Sequence, residues 1–165
     1  MGTEAISFDQ RVKNISDKLD KKLKEKHLNF LADDSEIDEI FALGIDELGK
    51  LNPQKLSEYS FLLSKYNIYL RKELNKELAE VGWAKKCMDF MIMPIMMDYR
   101  VPQSYMSNDE VKIRAIKDND VATKFYSYIV EKEQSITLIS DLSLDIRKMS
   151  EQLENISKSK RYNNA

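Results

Sequence analysis

The chain of 165 residues holds one cysteine, one histidine, three prolines and four glycines. A lone Cys87 cannot close an internal disulfide, and with only His27 beside it no set of soft ligands exists for a structural zinc. No Ser/His/Asp or Cys/His grouping stands out, so neither an enzyme nor a cofactor is expected. The longest apolar run, Phe90 to Met97, is broken by Pro94 and falls short of the roughly 18 residues that cross a bilayer. Met1 to Gln10 lacks a basic stretch followed by an apolar one, so a cytoplasmic protein without a membrane partner is expected. The nearest glycine pair, Gly44 and Gly49, lacks phosphate-loop spacing and is followed by Lys50 without Ser or Thr.

What remains is a helical composition, 42% hydrophobic and 33% charged, with no strand pattern of useful length, and the expected fold class is all-α. The net charge of −2 conceals segregation. Arg11 to His27 is rich in lysine, whereas Asp33 to Glu47 is acidic throughout; that acidic block could mask the lysines or imitate a nucleic-acid strand.

Val12, Ile15, Leu19 and Leu23 step by three and four, which predicts an amphipathic helix from Phe8 to Phe30. Asp33, Asp34 and Ser35 cap a short helix through Phe41, and the glycines that follow place an arm–core boundary near Asn52. The arm is therefore 1–52 and the core 53–165. From Pro53, the positions Leu56, Tyr59, Leu63, Tyr66 and Leu70 alternate by three and four, after which Leu74, Leu78 and Val81 shift the stripe. That helix is expected to end at Met93, because proline disfavours α conformation in its predecessor. A methionine cluster between Met88 and Met97 suits core filling at the turn or, alternatively, a subunit contact.

Ser107 and Glu110 have capping-box spacing and open a pattern with neither Pro nor Gly up to Ala165, read as one helix of about 50 residues. Asp118, Asn119 and Asp120 look like the start of a calcium loop, but the turn glycine and closing glutamate are missing. The two long helices form an antiparallel hairpin in which Ile113, Ile116, Val121, Phe125 and Ile129 face the Leu56 to Met88 seam. On that register Leu142, Ile146, Met149, Leu153 and Ile156 lack an intrachain partner, which predicts a homo-oligomer built on the C-terminal heptads.

Basic residues recur near aromatics: Lys65, Lys72 and Lys76 with Tyr69, Lys85 and Lys86 beside Trp83, and Arg114, Lys117, Lys124 and Tyr128 on the last helix. Cations that follow phosphates and rings that stack on bases suit single-stranded nucleic acid. A lysine-rich solvated surface over an aromatic core explains the same composition.

Two segments add a resemblance. Glu110, Lys112, Asp118, Asp120 and Val121 are similar to an E-x-K-x5-D-x-D-V element of the phage UvsY-type recombination mediators. Tyr59, Ser60, Leu63 and Lys65 resemble their Y-S-x-x-L-x-K element, and Lys85 to Phe90 their K-A-R-L-D-Y segment, with Cys87 where the family has Arg. The resemblance spans about Pro53 to Ile156. It implies a phage protein of DNA recombination, repair and replication in the host cytoplasm, which binds single-stranded DNA through Lys85 with Lys86 standing in for the arginine. It further implies displacement of a single-strand-binding protein, loading of a RecA-like recombinase, and assembly into a ring. The rival expectation is a structural or scaffolding coiled-coil phage protein that binds no nucleic acid.

Overall fold

A computed structural model describes residues 7–25, 34–99 and 106–163. Six helices follow one another: α1 Phe8–Glu25, α2 Asp34–Ala42, α3 Ile45–Lys50, α4 Pro53–Tyr99, α5 Asn108–Lys117 and α6 Asp120–Asn163. No strand occurs among the described residues, and α4 packs against α6, so the all-α helical hairpin is the observed architecture. The expected continuation of α1 to Phe30 lies outside the described residues.

The chain forms two compact units, each containing a segment of both long helices, α4 and α6. Unit 1 comprises Met1–His27 and Asn75–Ile136; unit 2 comprises Leu28–Leu74 and Thr137–Ala165. These units cut across the expected division into arm and core. The start of α4 does fall where the punctuation placed it, with Asn52 Oδ1 accepting from the Lys55 amide at 2.8 Å.

In unit 1, Val81, Ala84, Met88 and Ile92 of α4 meet Ala115 and Ile116 of α5 and Ala122, Phe125 and Ile129 of α6. Of the residues expected to face α4, Ile113 and Val121 are exposed, and the small Ala115 and Ala122 take the inward places. α1 runs antiparallel to α4. Phe8 sets its ring edge-on to Phe125 at 4.8 Å, Ile15 and Leu19 lie by Trp83 and Ala79, and Asp20 reaches Lys76 at 2.8 Å.

Three expectations are overturned here. α4 does not stop at Met93: it continues through Pro94 to Tyr99. An interior proline costs about 3 kcal/mol, and the packing of Ile95, Met96 and Tyr99 against the core offsets it. The methionines divide by helix face, with Met88 buried and Met91 and Met96 packed against the core, whereas Met93 and Met97 are exposed. The final helix is also not continuous. Ser107 forms the expected capping box with Glu110, but α5 ends at Lys117 and Asn119 restarts the chain, its Oδ1 accepting from the Val121 and Ala122 amides at 3.0 Å. Thr123 Oγ1 donates to the Ile116 carbonyl at 2.9 Å and the Tyr99 hydroxyl donates to the Asp118 carboxylate. The triplet that resembled a calcium loop is thus the helix-to-helix junction.

In unit 2, Leu56, Tyr59, Leu63 and Leu70 of α4 pack with Ile146 and Leu153 of α6, under Ile37 and Ile40 of α2. The expectation of a C-terminal seam without an intrachain partner is overturned as well. The C-terminal heptads have an intrachain partner, because the hairpin register pairs them with the first half of α4. Ile146 and Leu153 are buried and Met149 packs against them, while only Leu142 and Ile156 remain substantially exposed, at 43% and 38%. Between them runs a line of hydroxyls at seven-residue spacing. Ser157 bonds Ser57 at 2.9 Å, Ser150 bonds Ser64 at 2.8 Å and Ser60 at 3.1 Å, and Ser143 donates to Asn67 at 2.5 Å.

Candidate nucleic-acid interface

The nine residues expected to meet nucleic acid fall in both units and differ in what they already touch. Lys65 and Lys72 belong to unit 2 and the other seven to unit 1. Lys72 lies 4.9 Å from the Tyr69 ring centroid and 2.8 Å from a Glu73 oxygen. Lys76 is held by Asp20, and Lys85 by Glu133 at 2.6 Å. Tyr128 is not an open stacking platform: its hydroxyl donates to Glu80 at 3.0 Å, Phe8 packs edge-on at 6.1 Å, and Lys132 sits 5.8 Å from its ring.

That tyrosine belongs to a charged cluster inside unit 1. Lys132 reaches Glu77 at 2.7 Å and Glu80 at 3.0 Å, and Glu80 is only 4% exposed. Burial pushes the Tyr128 hydroxyl far above its ordinary pKa, and the neighbouring Glu80 carboxylate adds to the rise. Burial would lower the Lys132 ammonium, but its hydrogen bonds to Glu77 and Glu80 and their charge outweigh that and raise it. Two inward positions of α4 are therefore carboxylates, and the stripe passes through Glu77 and Glu80 rather than through the exposed Leu78.

Lys65, Lys86, Lys117 and Lys124 are exposed and form no ion pair with any described residue. Arg114 is exposed too. The carboxyl of Glu110, whose pKa is lowered first by hydrogen bonds from Ser107, is lowered further by that arginine's charge.

The sequence alone gave no role to α1, yet in unit 1 its lysines meet Trp83. A groove of about 430 Å³ opens between α1 and α4, its apolar lining made by Ile15, Leu19, Ala79 and Trp83. Lys18, Lys21 and Lys22 rim it, with Glu25 at one end, 3.9 Å from Lys21. Phe125, fully buried, braces the indole in a T-shaped contact at 5.6 Å. Steps of three and four along α1 mark Ile15, Lys18, Leu19 and Lys22 as one stripe, but only the fold shows which helix that stripe faces.

Among the described residues no three His, Cys, Asp or Glu side chains converge as a metal site, and no helix is long and apolar enough to cross a membrane. The chain matches no protein-family model, no curated protein and no solved structure.

Proposed function

We propose that this chain is a non-enzymatic protein that binds single-stranded DNA and serves as a recombination mediator, displacing a single-strand-binding protein and loading a RecA-like recombinase. Strand binding is supported by one observation above others: unit 1 leaves Lys86, Lys117 and Lys124 exposed without an ion pair to any described residue, and it also holds the exposed Arg114 and the exposed Lys18, Lys21 and Lys22 of α1. Such cations attract phosphates and release counterions, which is the sequence-independent part of nucleic-acid affinity. The mediator step rests on the resemblance carried by Tyr59 to Lys65, Lys85 to Phe90 and Glu110 to Val121. A phage origin, a place in the host cytoplasm and assembly into a homo-oligomeric ring belong to that same reading. Leu142 and Ile156 are the members of the C-terminal seam with surface left for a neighbouring copy.

An anisotropy titration with single- and double-stranded oligonucleotides at two salt concentrations tests it. The single strand binds more tightly, and each phosphate contact removed by Lys86→Glu, Lys117→Glu or Lys124→Glu lowers the salt slope by about 0.7. Binding that is absent, or indifferent to salt, overturns the proposal. The internal pairing of Lys72, Lys76 and Lys85 favours the second reading, a structural or scaffolding coiled-coil protein; sedimentation showing assembly without strand binding selects it.

A further inference from the structure

The groove between α1 and α4 differs from the other cationic surface in combining charge with an aromatic wall. Its lining joins the apolar Ile15, Leu19 and Ala79 to the exposed Lys18, Lys21 and Lys22, and its volume of about 430 Å³ lies within the range of small-ligand pockets. Lys18 and Lys22 stand four residues apart on α1, exposed and without an ion pair to any described residue, so both ammonium groups can meet one anionic ligand. Lys86 stands one turn further along α4 from Trp83 and is exposed as well.

We infer that this groove seats a nucleobase of a single strand, stacked on Trp83, while Lys18 and Lys22 hold the phosphates on either side. The inference rests on the strand-binding reading above and names where on the molecule a base enters. Three features support a base over a purely charged contact. The side chains of Ile15, Leu19 and Ala79 offer an anion no hydrogen-bond donor, so this part of the lining favours an apolar ring face, while the exposed lysines suit the phosphates. A π-face accepts any base, which suits binding without sequence preference. Lys18, Lys21 and Lys22 are exposed whereas Ile15, Leu19 and Trp83 are half-buried, so the charge lies outward of the apolar lining, where a backbone passes.

Trp83 is the only tryptophan of the chain, so all tryptophan emission comes from this groove's own indole. The full-length protein is titrated with a labelled oligothymidylate, an abasic strand of equal length, and decanoate, with indole emission and label anisotropy read together. The expected result is saturable quenching by oligothymidylate, little by the abasic strand, and a roughly tenfold or greater loss of affinity in Trp83→Ala, the effect of removing one stacked base. Because that variant also removes a contact with Phe125, Lys18→Gln/Lys22→Gln serves as the surface control; it weakens the quenching and leaves the helical circular dichroism unchanged.

Anisotropy that rises without quenching overturns the groove and leaves strand binding intact. Equal quenching by the abasic strand reduces the site to charge and overturns the base seat. Quenching by decanoate alone assigns the groove to an anionic amphiphile and overturns it too. No binding by either readout overturns both this inference and the reading beneath it.

Discussion

Both units bury polar groups between α4 and α6, but of different kinds. Unit 1 places charge there, in the buried Glu80 with the half-buried Glu77, Lys132 and Tyr128; unit 2 buries neutral hydroxyls, in Ser60, Ser143, Ser150 and Ser157. A charged cluster is stable only while every member is present, since its desolvation cost is met by mutual attraction. A hydroxyl can be removed with a modest loss, because both its desolvation and its hydrogen bonds are smaller. Serines are also small, which lets two helices approach closely where Leu or Ile would hold them apart. The hairpin therefore has one segment that is brittle towards single substitutions and another that tolerates polar deletion but not bulk.

The largest expected effect comes from Lys132→Met, which leaves two carboxylates without their cation. Breaking a buried pair costs about 3 to 5 kcal/mol, and urea denaturation measures it. Replacing Glu77 and Glu80 by Leu in the same chain recovers most of the loss; a triple variant as unstable as Lys132→Met would show that the cluster does not act as a unit. The same groups set an alkaline limit. Tyr128 and Lys132 both have folded pKa values above their ordinary 10.0 and 10.5, so their contribution is complete below pH 10 and is lost as pH rises past it. Tyr59, raised by burial and by its hydrogen bond to Glu39, adds the same sign of dependence to the contact between α2 and α4. Stability measured against pH falls on the alkaline side, and less steeply in the triple variant.

Unit 2 answers to volume. Ser150→Leu forces a large side chain between closely packed helices, at a cost of about 1 to 3 kcal/mol. Ser150→Ala costs about 1 kcal/mol, the net worth of a typical hydrogen bond. If alanine proved as damaging as leucine, the hydroxyl bonds and not the close approach would hold this segment together.

The next effect is local. Asn119→Ala removes the cap that restarts the chain after α5 and costs about 1 kcal/mol, seen as faster hydrogen exchange in the first turn of α6. An unchanged exchange rate there would mean that Thr123 and Tyr99 alone secure the junction.

The helical class, the start of α4, the capping box at Ser107 and the hairpin were legible because caps and three-four periodicity are local signals. The seam between the long helices was only half legible. Apolar counting selected Leu78, which is exposed, and passed over Glu77 and Glu80, because nothing local tells that Lys132 will lie opposite. The same counting assigned Leu142 and Ile156 to the C-terminal stripe and ignored Ser143, Ser150 and Ser157, whose inward position depends on hydroxyl partners about ninety residues away in one case and farther in another. The lysines near Trp83 were visible as composition, but their meeting with the indole required the direction in which α1 lies. The Asp118, Asn119, Asp120 triplet lacks the turn glycine and closing glutamate of a calcium loop, and no further local signal marks Asn119 as the cap of two amides.

The smallest expected effect tests whether unit 1 is optimised along α4. Gly82 lies within that helix, exposed, and a Cβ built there meets nothing within 4 Å. Gly82→Ala therefore adds no clash while reducing the conformational freedom of the unfolded chain, and the expected gain is about 0.5 to 1 kcal/mol. Because the new methyl points into open space, it leaves the neighbouring groove unaltered, and oligonucleotide affinity stays the same as stability rises. A fall in affinity at equal or greater stability would tie strand binding to flexibility of α4 beside Trp83, a property that the open space around Gly82 gives no reason to expect.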